Sequence, residues 1–214
     1  MVNVSTNVFA HKSIKNIVQY GFNLGTHTVH HRNLGLLTSN EIKDEVMGVE
    51  RTLETFMSPS PRLSLFRAPH GTPYILGNQS QMDRVSSVAA TAGYFHVGWQ
   101  IDPTDYNCEN NITCVTEPIF RAVDAGRWGM VLLHFIFRNT ANALPSLIAG
   151  LKERKCEFFT VEQFVRAKYG KSSAEVMNDF NGLSKNVAST KSTTYITIII
   201  FIFCMFIKES AVSQ

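Results

Sequence analysis

Apolar and polar positions alternate with two different periods along this chain. In "HKSIKNIVQYG" the apolar residues Ile14, Ile17 and Val18 recur at helical spacing, and Gly21 supplies a C-terminal stop. "FNLGTH" then reads as a strand. Thr38 and Glu41 are spaced as a capping box that opens a helix through "NEIKDEVMGVERTLETF", with Ile42, Val46, Val49 and Leu53 on one face and Pro59 and Pro61 beyond its end. A strand "LSLFRAP", a turn at Gly71, a helical stretch "QMDRVSSVAATAG" and an apolar run "FHVGWQID" follow. Further on, the pattern predicts a helix through "PIFRAVDAG" and a strand "GMVLLHF". A helix with Leu144, Leu147, Ile148 and Leu151 in register and a strand "CEFFT" complete it.

Strand and helix alternate throughout, which predicts parallel strands joined by helical crossovers. The polar groups "TH", "RAPH" and "DPTD" and the histidine of "LLH" each fall at the C-terminal end of a predicted strand, where barrels of this kind gather their active sites. From about Lys171 the composition turns polar and aperiodic, which predicts a linker over 171–194. Tyr195 to Ile207, "YITIIIFIFCMFI", is almost purely apolar but short of the roughly 20 residues that cross a bilayer as a straight helix. With the small residues of the polar spacer "SKNVASTKSTT" before it, this tail fits a GPI-attachment signal. A short or tilted membrane anchor is the other reading.

Composition narrows the picture a little. The 214 residues, 44% of them hydrophobic, suffice for one domain with a sizeable core. The net charge is only +3 and the lysines and arginines are scattered, so no nucleic-acid partner is expected. Cys108 and Cys114 bracket "CENNITC", a short loop that a disulfide can close in an oxidising compartment, whereas Cys156 and Cys204 have no evident mate. Sequons at Asn3, Asn78 and Asn111 fit a secreted protein. The N-terminal stretch shows no apolar run of signal-peptide length.

The candidate chemistry starts with "GTHTVHHRNL". His27 and His31 are four apart, so a helical turn places both rings on one face within reach of one ion. A solvated, imidazole-rich loop is the bland reading of the same spacing.

The order of motifs over about residues 5–167 resembles the polysaccharide deacetylase family, which includes chitin deacetylases and the rhizobial NodB enzymes. His27-Thr28-Val29-His30-His31 is similar to the family's His-Ser/Thr-x-x-His motif, and Arg67-Ala68-Pro69-His70-Gly71 to its Arg-x-Pro-Tyr/Phe-Gly. Asp102-Pro103-Thr104-Asp105-Tyr106 resembles Asp-x-x-Asp-Trp, and Leu132-Leu133-His134 resembles Leu-x-His. The resemblance implies that His27 and His31 bind a metal, usually zinc, and that His134 is the general acid for the leaving sugar amine. It implies that Asp105 holds and tunes His134, and that Arg67 orients the catalytic base. The backbone near His70 would serve the oxyanion, Tyr106 and Leu132 would line the acetyl pocket, and Asp102 would belong to the substrate-binding set.

The family's first motif, Thr-Phe-Asp-Asp-Gly, is not found: no Asp or Glu precedes Glu41. The resemblance therefore implies a distorted (β/α) barrel of the NodB type, N-terminally incomplete, over residues 1–170, then a polar linker at 171–194 and an apolar tail at 195–207. A shortened gene model would explain the missing motif and the missing signal peptide together. The implied function is metal-dependent N-deacetylation of chitin or another GlcNAc polymer by a secreted or cell-surface protein, attached through its tail or a GPI anchor. Without the aspartate base and the aspartate ligand, weak zinc binding and little activity are expected. The alternatives are a non-catalytic glycan-binding surface protein and a fragment without a function of its own.

Overall fold

A computed structural model describes residues 8–187. Seven helices and two short strands follow one another as α1 (Val8–Gln19), α2 (Ser39–Glu54), β1 (Leu65–Phe66), α3 (Gln79–Thr91), β2 (Phe95–His96), α4 (Ile112–Asp124), α5 (Arg138–Glu153), α6 (Val161–Tyr169) and α7 (Ser173–Val187). The described residues fall into two compact units, residues 8–97 with 159–187 and residues 98–158.

In the first unit, β1 and β2 pair in parallel, Leu65 opposite Phe95 and Phe66 opposite His96. Thr26 extends the array by a parallel bridge to Phe66. The close approach depends on Gly25, where a Cβ would stand 3.0 Å from the Leu65 carbonyl oxygen. α2 begins as its sequence predicts: Thr38 Oγ1 accepts from the Glu41 amide and the Glu41 carboxylate accepts from the Thr38 amide. Its buried stripe of Ile42, Val46 and Leu53 packs with Leu34, Phe66, Val85 and Tyr94. Burial of each such side chain contributes about 1.5–3 kcal/mol. A second cluster joins Leu65 and Phe95 to Val165 of α6 and Met177 of α7.

In the second unit, Ile101 and Val131 form a parallel bridge. α4 and α5 bury Ile119, Ala122, Leu147 and Leu151 together with Ile101. A disulfide joins Cys108 to Cys114, and Asn111 between them caps α4 by accepting from the Cys114 amide.

Several sequence expectations change. The strands are shorter than their apolar runs: "FNLGTH" and "GMVLLHF" are each reduced to one bridged residue, Thr26 and Val131. "CEFFT" forms no strand, and its Phe158 and Phe159 are half exposed. Leu144 and Ile148 of α5 lie on the solvent side of the Leu147 and Leu151 stripe. α4 starts six residues before Pro118, because the Asn111 cap nucleates it earlier than the apolar period suggests. The polar stretch from Lys171 is not a linker up to residue 187. It forms α7, whose Met177 is buried and whose Val176 and Phe180 pack with the second cluster. The rest of that stretch and the tail 195–207 lie outside the described residues. Among the described residues no helix is long and apolar enough to cross a membrane.

Candidate active site

Chemistry-bearing residues gather at the C-terminal ends of the bridged segments, in one group per unit. In the first unit the chain leaves Thr26 in an irregular loop. His27 Nδ1 lies 2.8 Å from the Arg67 carbonyl oxygen, which can only accept, so this nitrogen carries the proton and Nε2 presents its lone pair. His27 Nε2 and His31 Nε2 face each other at 3.1 Å. Two ligands of a tetrahedral zinc ion at about 2.0–2.1 Å stand roughly 3.3 Å apart, so the pair has the spacing of a chelate. The carbonyl on His27 Nδ1 is the kind of outer contact that orients a metal-binding imidazole.

The rings do not meet through a helical turn, as the i, i+4 spacing suggests. Thr28 and His31 both have positive φ, +67° and +56°, and local hydrogen bonds hold the loop in that shape. The Thr28 amide donates to Thr26 Oγ1 and the His31 amide to Thr28 Oγ1, while Thr26 Oγ1 donates to the Val46 carbonyl. Glu45, unmarked in the sequence reading, closes the loop. It is buried in α2, one carboxylate oxygen accepting from the His30 amide at 2.8 Å and the other meeting His30 Nδ1 at 3.0 Å. Its signal in the sequence is an acid on the same helical stripe as Ile42 and Val46.

Arg67 is half-buried, and burial lowers its pKa from the ordinary guanidinium value. No described carboxylate lies within ion-pair distance of it among the pairs the structure forms. His70 has φ +56° in the 3-10 turn Pro69–Gly71, and its ring meets that of His31 edge to face, with centroids 4.6 Å apart. His96, which the sequence reading also left unmarked, ends β2 and stacks on Tyr74 at 3.9 Å. Burial, and secondarily the Arg67 charge, push its pKa down to about 4, so it is neutral in ordinary conditions.

In the second unit the centre is Asp105, whose side chain has no solvent exposure. One carboxylate oxygen lies 2.7 Å from His134 Nδ1, and the other accepts from the His134 amide at 2.7 Å and from Thr140 Oγ1 at 2.6 Å. Asn139 Nδ2 donates to the Asp105 carbonyl. Burial alone would raise the Asp105 pKa, but the bonds from Thr140 and His134 outweigh it and hold it below the usual carboxylate value. A carboxylate can only accept here, so His134 Nδ1 is the donor and Nε2 points outward from the pair. Tyr106 is 49% exposed and lies edge-on to His134 at 5.6 Å. Leu132 is buried, its amide donating to the Ile101 carbonyl. Asp102 is a turn residue, its Oδ1 accepting from the amide of Thr104, which itself sits at φ +53°. Thr28, His31, His70 and Thr104 thus place backbone strain of about 1–3 kcal/mol per residue in three motifs that carry the chemistry.

The first unit carries a histidine pair with the spacing of a chelate, and the second carries a carboxylate-held imidazole of the kind that transfers protons. Residues 2–95 match the family model described as polysaccharide deacetylase. The chain is 25% identical over 157 residues to the peptidoglycan-N-acetylmuramic acid deacetylase PdaA of Bacillus subtilis, covering 72% of this chain and 56% of that one. It is 25% identical over 154 residues to a chitooligosaccharide deacetylase of Sinorhizobium fredii, covering 66% of each. The chain thus spans between about half and two thirds of the length of these relatives. A solved family 4 carbohydrate esterase pseudoenzyme from Bacillus anthracis has a TM-score of 0.57 at 23% identity, over 71% of this chain and 48% of that one. The fold is accordingly that of the distorted (β/α) deacetylase barrel.

Proposed function

We propose that this chain is a metal-dependent N-deacetylase homologue that recognises a GlcNAc-containing polysaccharide such as chitin. The observation that carries the reading is the geometry of the two histidine groups: paired imidazole nitrogens at 3.1 Å in one motif and a carboxylate-held imidazole at 2.7 Å in another. His27 and His31 would hold a divalent ion, zinc by the chemistry of their donors. When bound, such an ion polarises the acetamide carbonyl as a Lewis acid.

The chain's own residues supply the rest. Asp105 fixes the tautomer and orientation of the His134 ring, whose Nε2 would hand a proton to the departing amine nitrogen. Tyr106 offers an exposed aromatic face beside that ring for the acetamide or the sugar. Arg67 is the cation against which a carboxylate base would orient. The described residues contain no group of three His, Cys, Asp or Glu side chains set around one point, and two imidazoles alone hold zinc weakly. A site held by these two imidazoles is expected to turn over slowly, and a carboxylate supplied beside them to raise the rate. The disulfide supports an oxidising compartment, and we place the protein at the cell surface, held by its apolar tail or by a GPI anchor.

A second reading, glycan binding without catalysis, is favoured by the tyrosine at position 106 and the histidine at position 70, where the family carries other residues. Acetate release from GlcNAc oligomers, with zinc and with chelator, decides between them. Zinc-dependent release by the chain, or by a form extended with an Asp-Asp segment, supports the enzyme. Oligomer binding without release by either form sinks it.

A further inference from the structure

We propose that the turn 134–137 is a stacking step for the sugar ring next to the one that reacts, with Phe135 as its contact and Ile136 beside it. The inference rests on the reading of His134 as proton donor to a GlcNAc polymer, and adds the residues that hold the polymer beyond its reacting unit.

Three observations carry it. The Phe137 amide donates to the His134 carbonyl at 3.2 Å, so Phe135 and Ile136 are the central residues of a tight turn. Such positions favour Gly, Pro, Asn, Asp and Ser, yet here they hold two large apolar side chains, 91% and 62% exposed. With the half-exposed Tyr106 on the same histidine they form an apolar patch around His134, and such patches mark contact surfaces.

The tip is also held in place from both sides by one residue. The Asp105 carboxylate accepts from the His134 amide before the tip and from the Thr140 hydroxyl after it, and the Asp105 carbonyl accepts from Asn139 Nδ2. Phe137 closes the turn with its ring edge-on to His134, centroids 5.9 Å apart. An aromatic fixed in advance binds with less loss of freedom than one on a mobile loop. Finally, the His134 side chain is 30% exposed, and the Cα atom of Phe135 follows at about 3.8 Å, so the tip flanks the point where the proton would be delivered.

A pyranose presents a face of C–H groups whose slight positive charge suits the negative face of an aromatic ring, while its hydroxyls stay in water. A polymer engaged through one sugar at His134 lays the next sugar on the surface beside that residue, and the tip is an apolar part of that surface. Two side chains offer little area for holding a membrane, because that binding scales with the apolar area buried.

The test is isothermal titration calorimetry of the 214-residue chain, with zinc present, against GlcNAc monomer, dimer and tetramer. The expected result is an affinity that rises from monomer to tetramer, a loss of roughly fivefold for the tetramer in Phe135→Ala, and near-wild-type affinity in Phe135→Trp. Phe158→Ala removes another half-exposed phenylalanine of the same unit and keeps the wild-type affinity. Thermal melts show that the variants fold. Equal tetramer affinity in the wild type and Phe135→Ala would overturn the stacking step and leave the polysaccharide reading standing. Failure of the wild type to bind any of the oligomers would overturn both. Phosphatidylcholine vesicles that bind the wild type but not Phe135→Ala, while the tetramer binds both alike, would assign the tip to a membrane and overturn the step.

Discussion

His134 and Asp105 are joined twice. The ring Nδ1 lies 2.7 Å from one carboxylate oxygen, and the backbone amide of the same histidine donates to the other at 2.7 Å. One buried aspartate therefore sets both the rotation of the imidazole and the path of the chain that carries it.

The first prediction concerns the proton donor. In a form that releases acetate, His134→Ala lowers kcat by roughly 10²-fold or more, with binding of GlcNAc oligomers nearly unchanged. A glycan-binding protein without catalysis would show no such split, so steady-state kinetics alongside oligomer binding separate the two.

Asp105→Ala strips the partner from the His134 amide, its ring and the Thr140 hydroxyl at once. A loss of about 3 kcal/mol or more is expected, by denaturant unfolding at neutral pH. The pKa of Asp105 is depressed in the folded state, so its contribution is complete above the unfolded value of 3.8 and fades as pH falls through the lower folded value. The wild type and the variant should converge in stability toward that acid limit. A gap that stayed constant down to the acid limit would contradict the assignment.

Glu45→Gln keeps the shape of the side chain but weakens the bonds that hold the His30 amide and ring. The loop carrying His27 and His31 should loosen, with metal affinity reduced by roughly tenfold and only a small change in melting temperature. Equal zinc affinity in the variant and the wild type would assign Glu45 to stability alone.

His96 gives a second pH signature. Its folded pKa of about 4 lies below the ordinary value of 6.5, so the unfolded chain takes up the proton first as pH falls. The stability this group contributes is complete above 6.5 and is lost on the way down to about 4. In His96→Gln the drop in melting temperature across that window should shrink, measured beside the wild type in the same buffers.

Much of this was legible from the residues alone. The helix start at Thr38 and Glu41, the apolar stripe of α2 and the pairing of Cys108 with Cys114 follow from local patterns, and the structure has all three. The alternation of helices with parallel segments holds in part, since α5, α6 and α7 follow one another with no strand between them. Periodicity fails where apolar residues serve something other than a regular strand. The run around Val131 makes one bridge, and Phe158 and Phe159 face solvent. α7 was hidden because its helix is stabilised by contacts of Val176, Met177 and Phe180 with residues far away in sequence.

The sequence by itself determined which residue types stand at the segment ends, since a motif is a matter of identity and spacing. Only the tertiary structure decided which of them meet. His27 and His31 come together through positive-φ residues and through Glu45, fourteen positions beyond His31, rather than through a helical turn. Likewise His70 lies against His31, and Thr140 and His134 converge on Asp105, across gaps that no local period encodes. Periodicity reports which face of an element is buried; long-range hydrogen bonds and backbone strain set where a polar side chain points once it leaves that element.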